Sequence, residues 1–192
     1  RNAIAREASV VAAVPFSYKE TLRVEFNHHL AEIEEKFCHT EPNLSMVLQS
    51  ESAQKTFIDY ATSQALLSAL VDCPHGVIAM SETMPGLVET YTNLASIKIK
   101  GDKVVISTSQ RSSLDVEKEE ISTKVARNFS DKGFGVKHEN NYSGWYPNIH
   151  SKLLEDAIEA FKETQGKNPR VRSIHAGLEC GLFIEKYPDL DI

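Results

Sequence analysis

Hydrophobic residues recur at helical spacing in four stretches of the chain. The first stretch consists of Leu22, Phe26, Leu30, Ile33 and Phe37. Because neighbouring members are three or four positions apart, all of them lie on one face of a predicted helix. Ser17 and Glu20 have the spacing of a capping box, which predicts that this helix begins beside them. The same periodicity predicts three more helices, at 57–71, 114–129 and 149–161.

Alternating apolar and polar residues predict two neighbouring strands, at 94–99 and 103–110. The two-residue connection Gly101-Asp102 between them predicts a β-hairpin. Short apolar runs predict further strands at 4–14, 44–48, 134–137 and 171–174. Helices that return to an antiparallel sheet in this order predict an α+β fold, a ferredoxin-like sandwich with its helices on one face of the sheet.

Three breaks divide these patterns. A predicted loop runs from His75 to Gly86 and contains the short apolar run 77–80. Gly133 follows the third helix, where a C-cap glycine is expected. The polar, turn-forming stretch 140–148 predicts a domain boundary. The chain is therefore predicted to contain one domain at 1–141 and part of a second at 142–192, in which a helix followed by a strand begins an α/β unit.

The charge of the chain argues against binding to nucleic acid. The net charge is −6, and the basic residues are scattered among acidic ones rather than clustered as phosphate binding requires. No apolar run approaches the roughly 18 residues of a membrane-spanning helix, so no membrane partner is expected. The three cysteines include no Cys-x-x-Cys pair, which argues against a disulfide framework and favours a cytoplasmic localisation.

Candidate chemistry is concentrated in the stretch 173–183, which follows the predicted strand at 171–174. It contains a histidine, a carboxylate, a thiol and two glycines, at His175, Gly177, Glu179, Cys180 and Gly181. Polar groups beside flexible glycines at the end of a strand are typical of a binding loop. A cysteine-dependent hydrolase that uses Cys180 and His175 is one hypothesis, but it requires the loop to fold back on itself.

The motif 175–183, with Tyr187-Pro188 after it, resembles a loop in the C-terminal half of bacterial aminoacyl-histidine dipeptidases, which are carnosinase-like zinc dipeptidases related to glutamate carboxypeptidases. Other patches resemble the same family in the same order along the chain. These are Arg1-Asn2-Ala3-Ile4, Gly86-Leu87-Val88-Glu89-Thr90 with Asn93, Arg111-Ser112-Ser113, and Gly144-Trp145 with Pro147. The chain departs from the family pattern at Ala5 and Ser143, where proline is usual.

The resemblance implies that residues 1–141 are the lid domain and that residues 142–192 are part of the catalytic domain. It further implies a full-length enzyme that hydrolyses dipeptides with two zinc ions, whose ligands lie outside this chain. The implied partners are a dipeptide substrate, the remainder of the enzyme's own catalytic domain and, as a further option, a second copy of the chain.

The resemblance also implies roles for five residues. Arg111 is expected to bind the C-terminal carboxylate of the dipeptide, since a guanidinium group matches a carboxylate with two parallel hydrogen bonds. Asn2 is expected to donate a hydrogen bond to the scissile carbonyl. His175, Gly177 and Glu179 are expected to line the substrate pocket, where Glu179 either holds the substrate's amino group or orients a neighbouring loop. The residues alone favour a surface arginine at 111 and a turn asparagine at 2, and at 179 they permit a structural carboxylate as readily as a functional one.

The histidines do not form a metal-binding pattern. His28 and His29 point about 100° apart on a helix, so they are not expected to chelate one ion together. His39, His75, His138 and His150 have no ligand partner at the usual spacings. We therefore expect no metal ligand in this chain. The alternative to the dipeptidase hypothesis is a ferredoxin-like module that binds a small ligand or dimerises without catalysis.

Overall fold

The computed structural model describes residues 5–52, 56–145, 148, 150–172 and 178–192, apart from the side chain of residue 178. These residues form two compact units. One is Glu7–Tyr60, and the other is Ala61–Ile192 together with residues 5 and 6.

The unit Glu7–Tyr60 contains one long helix. After a short 3-10 turn at Phe16–Tyr18, helix α1 runs from Lys19 to Phe37. The predicted apolar face is present, since four of its five members are half-buried and Leu22 is 40% exposed. The predicted capping box is wrong, because the N-cap residue is Tyr18 and its side chain makes no capping hydrogen bond.

The strands predicted in this part of the chain are also wrong. Residues 5–14 and 44–48 form no regular element, and residue 4 lies outside the described residues. A strand is stable only where a neighbouring strand pairs with its backbone groups, and an apolar run does not by itself supply that partner.

The second unit is built on an antiparallel sheet with strand order β1-β2-β3 among the described residues. Its strands are β1 (Gly76–Met80), β2 (Val88–Lys100) and β3 (Lys103–Ser112). The predicted hairpin is confirmed, because β2 and β3 pair from Lys100↔Lys103 onward and Gly101 takes a left-handed φ of 63°. The apolar run 77–80, which was predicted inside a loop, belongs to β1.

Two helices pack against one face of this sheet. Helix α2 (Tyr60–Val71) and helix α3 (Asp115–Ser130) join Leu94 of β2 and Ile106 of β3 in the hydrophobic core. The buried members of this core are Ala69, Cys73, Val125 and Phe129. The Asn128 Nδ2 atom donates a hydrogen bond to the Ala69 carbonyl oxygen at 2.7 Å, which ties the two helices together. The predicted α+β fold with an antiparallel sheet is therefore confirmed.

The end of α3 explains why no strand follows it. Gly133 has a left-handed φ of 86°, and its N–H bonds to the Ser130 carbonyl oxygen while that of Phe134 bonds to Phe129. This is a Schellman motif with glycine at the predicted position. The Phe134 ring then packs edge-on against Phe129, with 6.3 Å between centroids. The apolar residue that predicted a strand at 134–137 instead caps the core, and the strand prediction is wrong.

Two helices follow in the C-terminal part. Helix α4 (Lys152–Gln165) confirms the predicted helix, with Ser151 Oγ accepting the Leu154 N–H at 3.0 Å and Gly166 in the left-handed conformation at its end. Helix α5 (Leu178–Lys186) replaces the second half of the predicted loop. Helix-forming residues surround Gly181 in this segment, and they outweigh the preference of one glycine for a turn.

The strand predicted at 171–174 is not seen at 171–172, and residues 173–174 lie outside the described part. The domain boundary between 141 and 142 stays a prediction. None of the helices among the described residues combines the length and the apolar character needed to cross a membrane.

Candidate functional site

Arg111 lies near the end of β3, directly opposite Tyr91 of β2. Its side chain is half-buried, and its Cζ atom is 5.9 Å from the centroid of the Tyr142 ring. The hydrogen-bonded ladder extends past the end of β3, because the Ser113 N–H bonds to the Glu89 carbonyl oxygen at 3.4 Å. Arg111 is thus placed on regular sheet rather than on a loop, which limits the motion of its backbone.

Buried hydroxyl groups secure this end of the sheet. Thr90 Oγ1 and Ser112 Oγ are 2.8 Å apart, and Thr90 is fully buried. Ser112 Oγ also accepts the Leu114 N–H at 3.1 Å, where the chain turns into α3. Two residue pairs along the ladder, Gln110 Nε2 donates to Thr92 Oγ1 at 3.0 Å. Since buried polar groups are costly without partners, these bonds hold the strands on both sides of Arg111 in register.

The segment 142–144 crosses this sheet end and is held by the first turn of α3. The Gly144 N–H donates to Asp115 Oδ1 at 2.9 Å, and Lys118 Nζ donates to the Tyr142 carbonyl oxygen. Asp115 and Lys118 also form an ion pair at 2.6 Å. A Cβ atom on Gly144 would lie 2.5 Å from the Ser113 carbonyl oxygen, so the backbones approach as closely as only glycine permits.

Helix α5 reaches the same place through Gly181. A Cβ atom on Gly181 would lie 2.8 Å from the Ser143 carbonyl oxygen and 3.0 Å from that of Gly144. Ser143 Oγ also donates to Glu185 Oε2 at 2.5 Å. Three patches that are far apart in sequence therefore meet at the end of β3, namely 111–113, 143–144 and the helix that carries Gly181.

Two of the five predicted site residues fall within the described part of the chain. Arg111 lies at the sheet end described above, and Glu179 is exposed in the first turn of α5, two residues before Gly181. A carboxylate in the first turn also favours the helix through its dipole. Asn2, His175 and Gly177 lie outside the described residues, and the roles of all five stay predictions.

The described residues do not fit a zinc site. Among them there is no group of three or more histidine, cysteine, aspartate or glutamate side chains that could hold a metal ion. A zinc site in an enzyme needs three protein ligands, and the described residues do not supply such a set. Cys180, which the hypothesis of a cysteine-dependent hydrolase requires, is half-buried in α5.

The sequence interpretation missed the residues that support Arg111. Asp115 and Lys118 are three residues apart at the start of a predicted helix, a spacing that allows an ion pair but is common on helix surfaces. In the sequence, Tyr142 is an aromatic residue within the turn-forming stretch 140–148. Asp115 and Lys118 hold 142–144 through hydrogen bonds between distant parts of the chain, for which a single sequence carries no local signal.

Asp115 makes this site sensitive to acid. Burial pushes the pKa of Asp115 upward, but hydrogen bonds from Lys118 and from the Gly144 N–H, together with the charge of Lys118, outweigh it and hold the pKa below its ordinary value. Ionised Asp115 therefore stabilises the folded state above its unfolded pKa, and this contribution is lost as the pH falls through the lowered folded value. Because the carboxylate is 58% exposed, we expect ionised Asp115 to contribute less than about 1 kcal/mol to the free energy of unfolding.

We expect Asp115→Asn to lower the free energy of unfolding at pH 7, and we expect this difference to shrink as the pH falls below the ordinary aspartate pKa of about 3.9 and through the lowered folded pKa of Asp115. Urea unfolding at several pH values measures this difference, and Glu119→Gln, at an exposed carboxylate of the same helix, serves as the control. A difference that stays constant from pH 7 to pH 3 would mean that Asp115 acts through its shape rather than its charge.

No protein-family model matches the chain. Over all 192 residues it is 29% identical to the cytosol non-specific dipeptidase of Escherichia coli (strain K12) and covers 40% of that protein. The crystal structure of aminoacylhistidine dipeptidase from Vibrio alginolyticus matches with a TM-score of 0.85 and 27% identity, over 93% of this chain and 36% of that one.

The chain thus spans well under half the length of these relatives. Both matches carry the name dipeptidase. Along its length the chain is similar to a part of a dipeptidase, which confirms the resemblance that its motifs predicted.

Proposed function

We propose that the chain is the lid domain and part of the catalytic domain of a cytosolic metallodipeptidase that hydrolyses aminoacyl-histidine and related dipeptides. One observation carries this proposal. Three family-like patches, far apart in sequence, meet around the Arg111 end of β3, in a chain that is similar to dipeptidases over its full length.

In this proposal Arg111 donates two parallel hydrogen bonds to the C-terminal carboxylate of the substrate. Such bonds are strong because both groups are charged, and their fixed geometry rejects a peptide whose carboxylate lies one residue further along. The regular ladder of β2 and β3 supports this role, since a binding group on a rigid element keeps its position.

The other predicted site residues contact the parts of the substrate that Arg111 does not bind. Asn2 donates to the oxygen of the scissile carbonyl, where negative charge develops during attack by water. His175, Gly177 and Glu179 line the pocket for the rest of the dipeptide. Closure of the lid over the substrate excludes bulk water. Zinc is the proposed cofactor of the full-length enzyme, with its ligands outside this chain.

The proposal is tested by the substrate range of the full-length protein supplied with zinc. We expect it to hydrolyse an alanyl-histidine dipeptide and to act at least about 50-fold less efficiently on the C-terminal amide of that dipeptide, because the amide removes the charged partner of Arg111. A chelator should abolish hydrolysis, and added zinc should restore it. A tripeptide is the matched comparison, and hydrolysis of all three substrates at equal rates would refute the proposal.

A further inference from the structure

The aromatic ring of Tyr142 lies beside the guanidinium group of Arg111. The distance of 5.9 Å from Cζ to the ring centroid is within the range in which a cation is attracted to an aromatic face. An arginine side chain has many rotamers, and a fixed neighbour reduces the entropy that it loses when it binds a ligand. Tyr142 is 43% exposed, so the ring is in contact with solvent as well as with its neighbours.

Tyr142 itself is held in place by α3. Lys118 Nζ donates to the Tyr142 carbonyl oxygen and lies 5.8 Å from the centroid of its ring. Asp115 holds Gly144, two residues further on, through the hydrogen bond of 2.9 Å. The first turn of α3 therefore fixes the backbone on both sides of Ser143. Asp115 and Lys118 thus form a clamp on 142–144. Further along the same helix, Val125 and Phe129 are buried in the core, so this clamp lies on a rigid element.

The charges around the ring fit this arrangement. The ammonium group of Lys118 and the guanidinium group of Arg111 approach the same ring and repel each other. Asp115 lies 2.6 Å from Lys118 Nζ and offsets that charge. The Lys118 side chain is only 14% exposed, so solvent screens its repulsion of Arg111 weakly.

We propose that Tyr142 is a positioning residue for recognition of the substrate carboxylate: clamped by Lys118 and Asp115, its ring orients the guanidinium group of Arg111. This inference rests on the proposed function, because it assigns Tyr142 to the task of Arg111. It predicts that the ring matters for the Michaelis constant of substrates with a free carboxylate and that the phenolic hydroxyl group does not.

The test uses Tyr142→Leu and Tyr142→Phe in the full-length protein, with an alanyl-histidine dipeptide as the substrate. We expect Tyr142→Leu to raise KM about fivefold to tenfold while kcat changes less than about twofold, and Tyr142→Phe to retain the wild-type KM. Tyr18→Leu, at a tyrosine that is 60% exposed in the other unit, is the control and should leave both constants unchanged. A Tyr142→Leu variant with wild-type KM overturns the inference.

A double-mutant cycle with Arg111→Ala separates this inference from the proposed function. We expect Tyr142→Leu to have no further effect on KM once Arg111 is absent. A second outcome is that Arg111→Ala raises KM and that Tyr142→Leu raises KM by the same factor whether or not Arg111 is present. Tyr142 then acts independently of Arg111, so the inference fails while the proposed function stands. If Arg111→Ala leaves KM unchanged, the proposed function itself fails.

A third variant keeps the test decisive if Tyr142→Leu does not fold. Lys118→Met removes the bond to the Tyr142 carbonyl oxygen but leaves the ring in the chain. We expect KM to rise by a smaller factor than in Tyr142→Leu, about threefold. An unchanged KM in a folded Lys118→Met protein would show that the clamp does not position Arg111.

Discussion

Replacing Arg111 with alanine is expected to raise the KM of the full-length protein for dipeptides about 30-fold to 150-fold. This range corresponds to the loss of about 2–3 kcal/mol, as for a hydrogen-bonded charge pair. The value of kcat should change far less, because the carboxylate is held equally in the ground state and in the transition state. Steady-state kinetics with an aminoacyl-histidine dipeptide measure both constants, and the zinc content should remain that of the wild type.

Two further variants show whether the charge or the geometry of the Arg111 side chain is responsible for the effect on KM. Arg111→Lys keeps the positive charge but loses the planar fork, so its KM should lie between those of the wild type and Arg111→Ala. Arg127→Ala removes an exposed arginine from the helix that follows β3 and should leave KM unchanged. Equal effects of Arg111→Ala and Arg127→Ala would point to a general electrostatic influence rather than to a binding site.

Alanine at Gly144 or Gly181 is expected to destabilise the protein and to weaken substrate binding together. The added Cβ atom would lie 2.5 Å from a backbone oxygen in the first case and 2.8 Å in the second. Since backbone atoms cannot rotate away, the segments must separate, which costs about 1–3 kcal/mol. We expect the midpoint of thermal unfolding to fall by roughly 3–10 °C. We also expect KM to rise, because Gly144 adjoins the end of the strand that carries Arg111.

Two other glycines are matched controls for this experiment. Gly135 has no left-handed φ, and a Cβ atom there would meet nothing within 4 Å, so Gly135→Ala should be nearly neutral. Gly166 has a φ of 65° at the end of α4, so Gly166→Ala should lower stability by about 1 kcal/mol without changing KM. If Gly166→Ala raised KM as much as Gly181→Ala, the effect on binding would be a consequence of lost stability alone.

Local patterns predicted the helices and the hairpin well. The apolar face of α1, the Gly101-Asp102 turn and the glycine cap at Gly133 each follow from residues that are close together in sequence. The strands predicted at 4–14, 44–48 and 134–137 failed for a common reason. A strand requires a partner strand, and a short apolar run has the same composition whether or not a partner is present.

The site was predictable only in part. Resemblance to a family made Arg111 a candidate, and its position at the end of a strand followed from the alternating pattern of β3. The contact of Gly181 with 143–144 could not be predicted, because it depends on how α5 packs, and residues 178–183 were expected to be a loop. The clamp formed by Asp115 and Lys118 could not be predicted either, because its hydrogen bonds join residues more than twenty positions apart in sequence.

The most direct test is a crystal structure of the full-length protein with a bound, uncleaved dipeptide analogue that carries a free C-terminal carboxylate. We expect both carboxylate oxygens to lie about 2.8 Å from the guanidinium nitrogens of Arg111, with the Tyr142 ring against the guanidinium group. A carboxylate held by other residues, with Arg111 directed away from the ligand, would contradict the account.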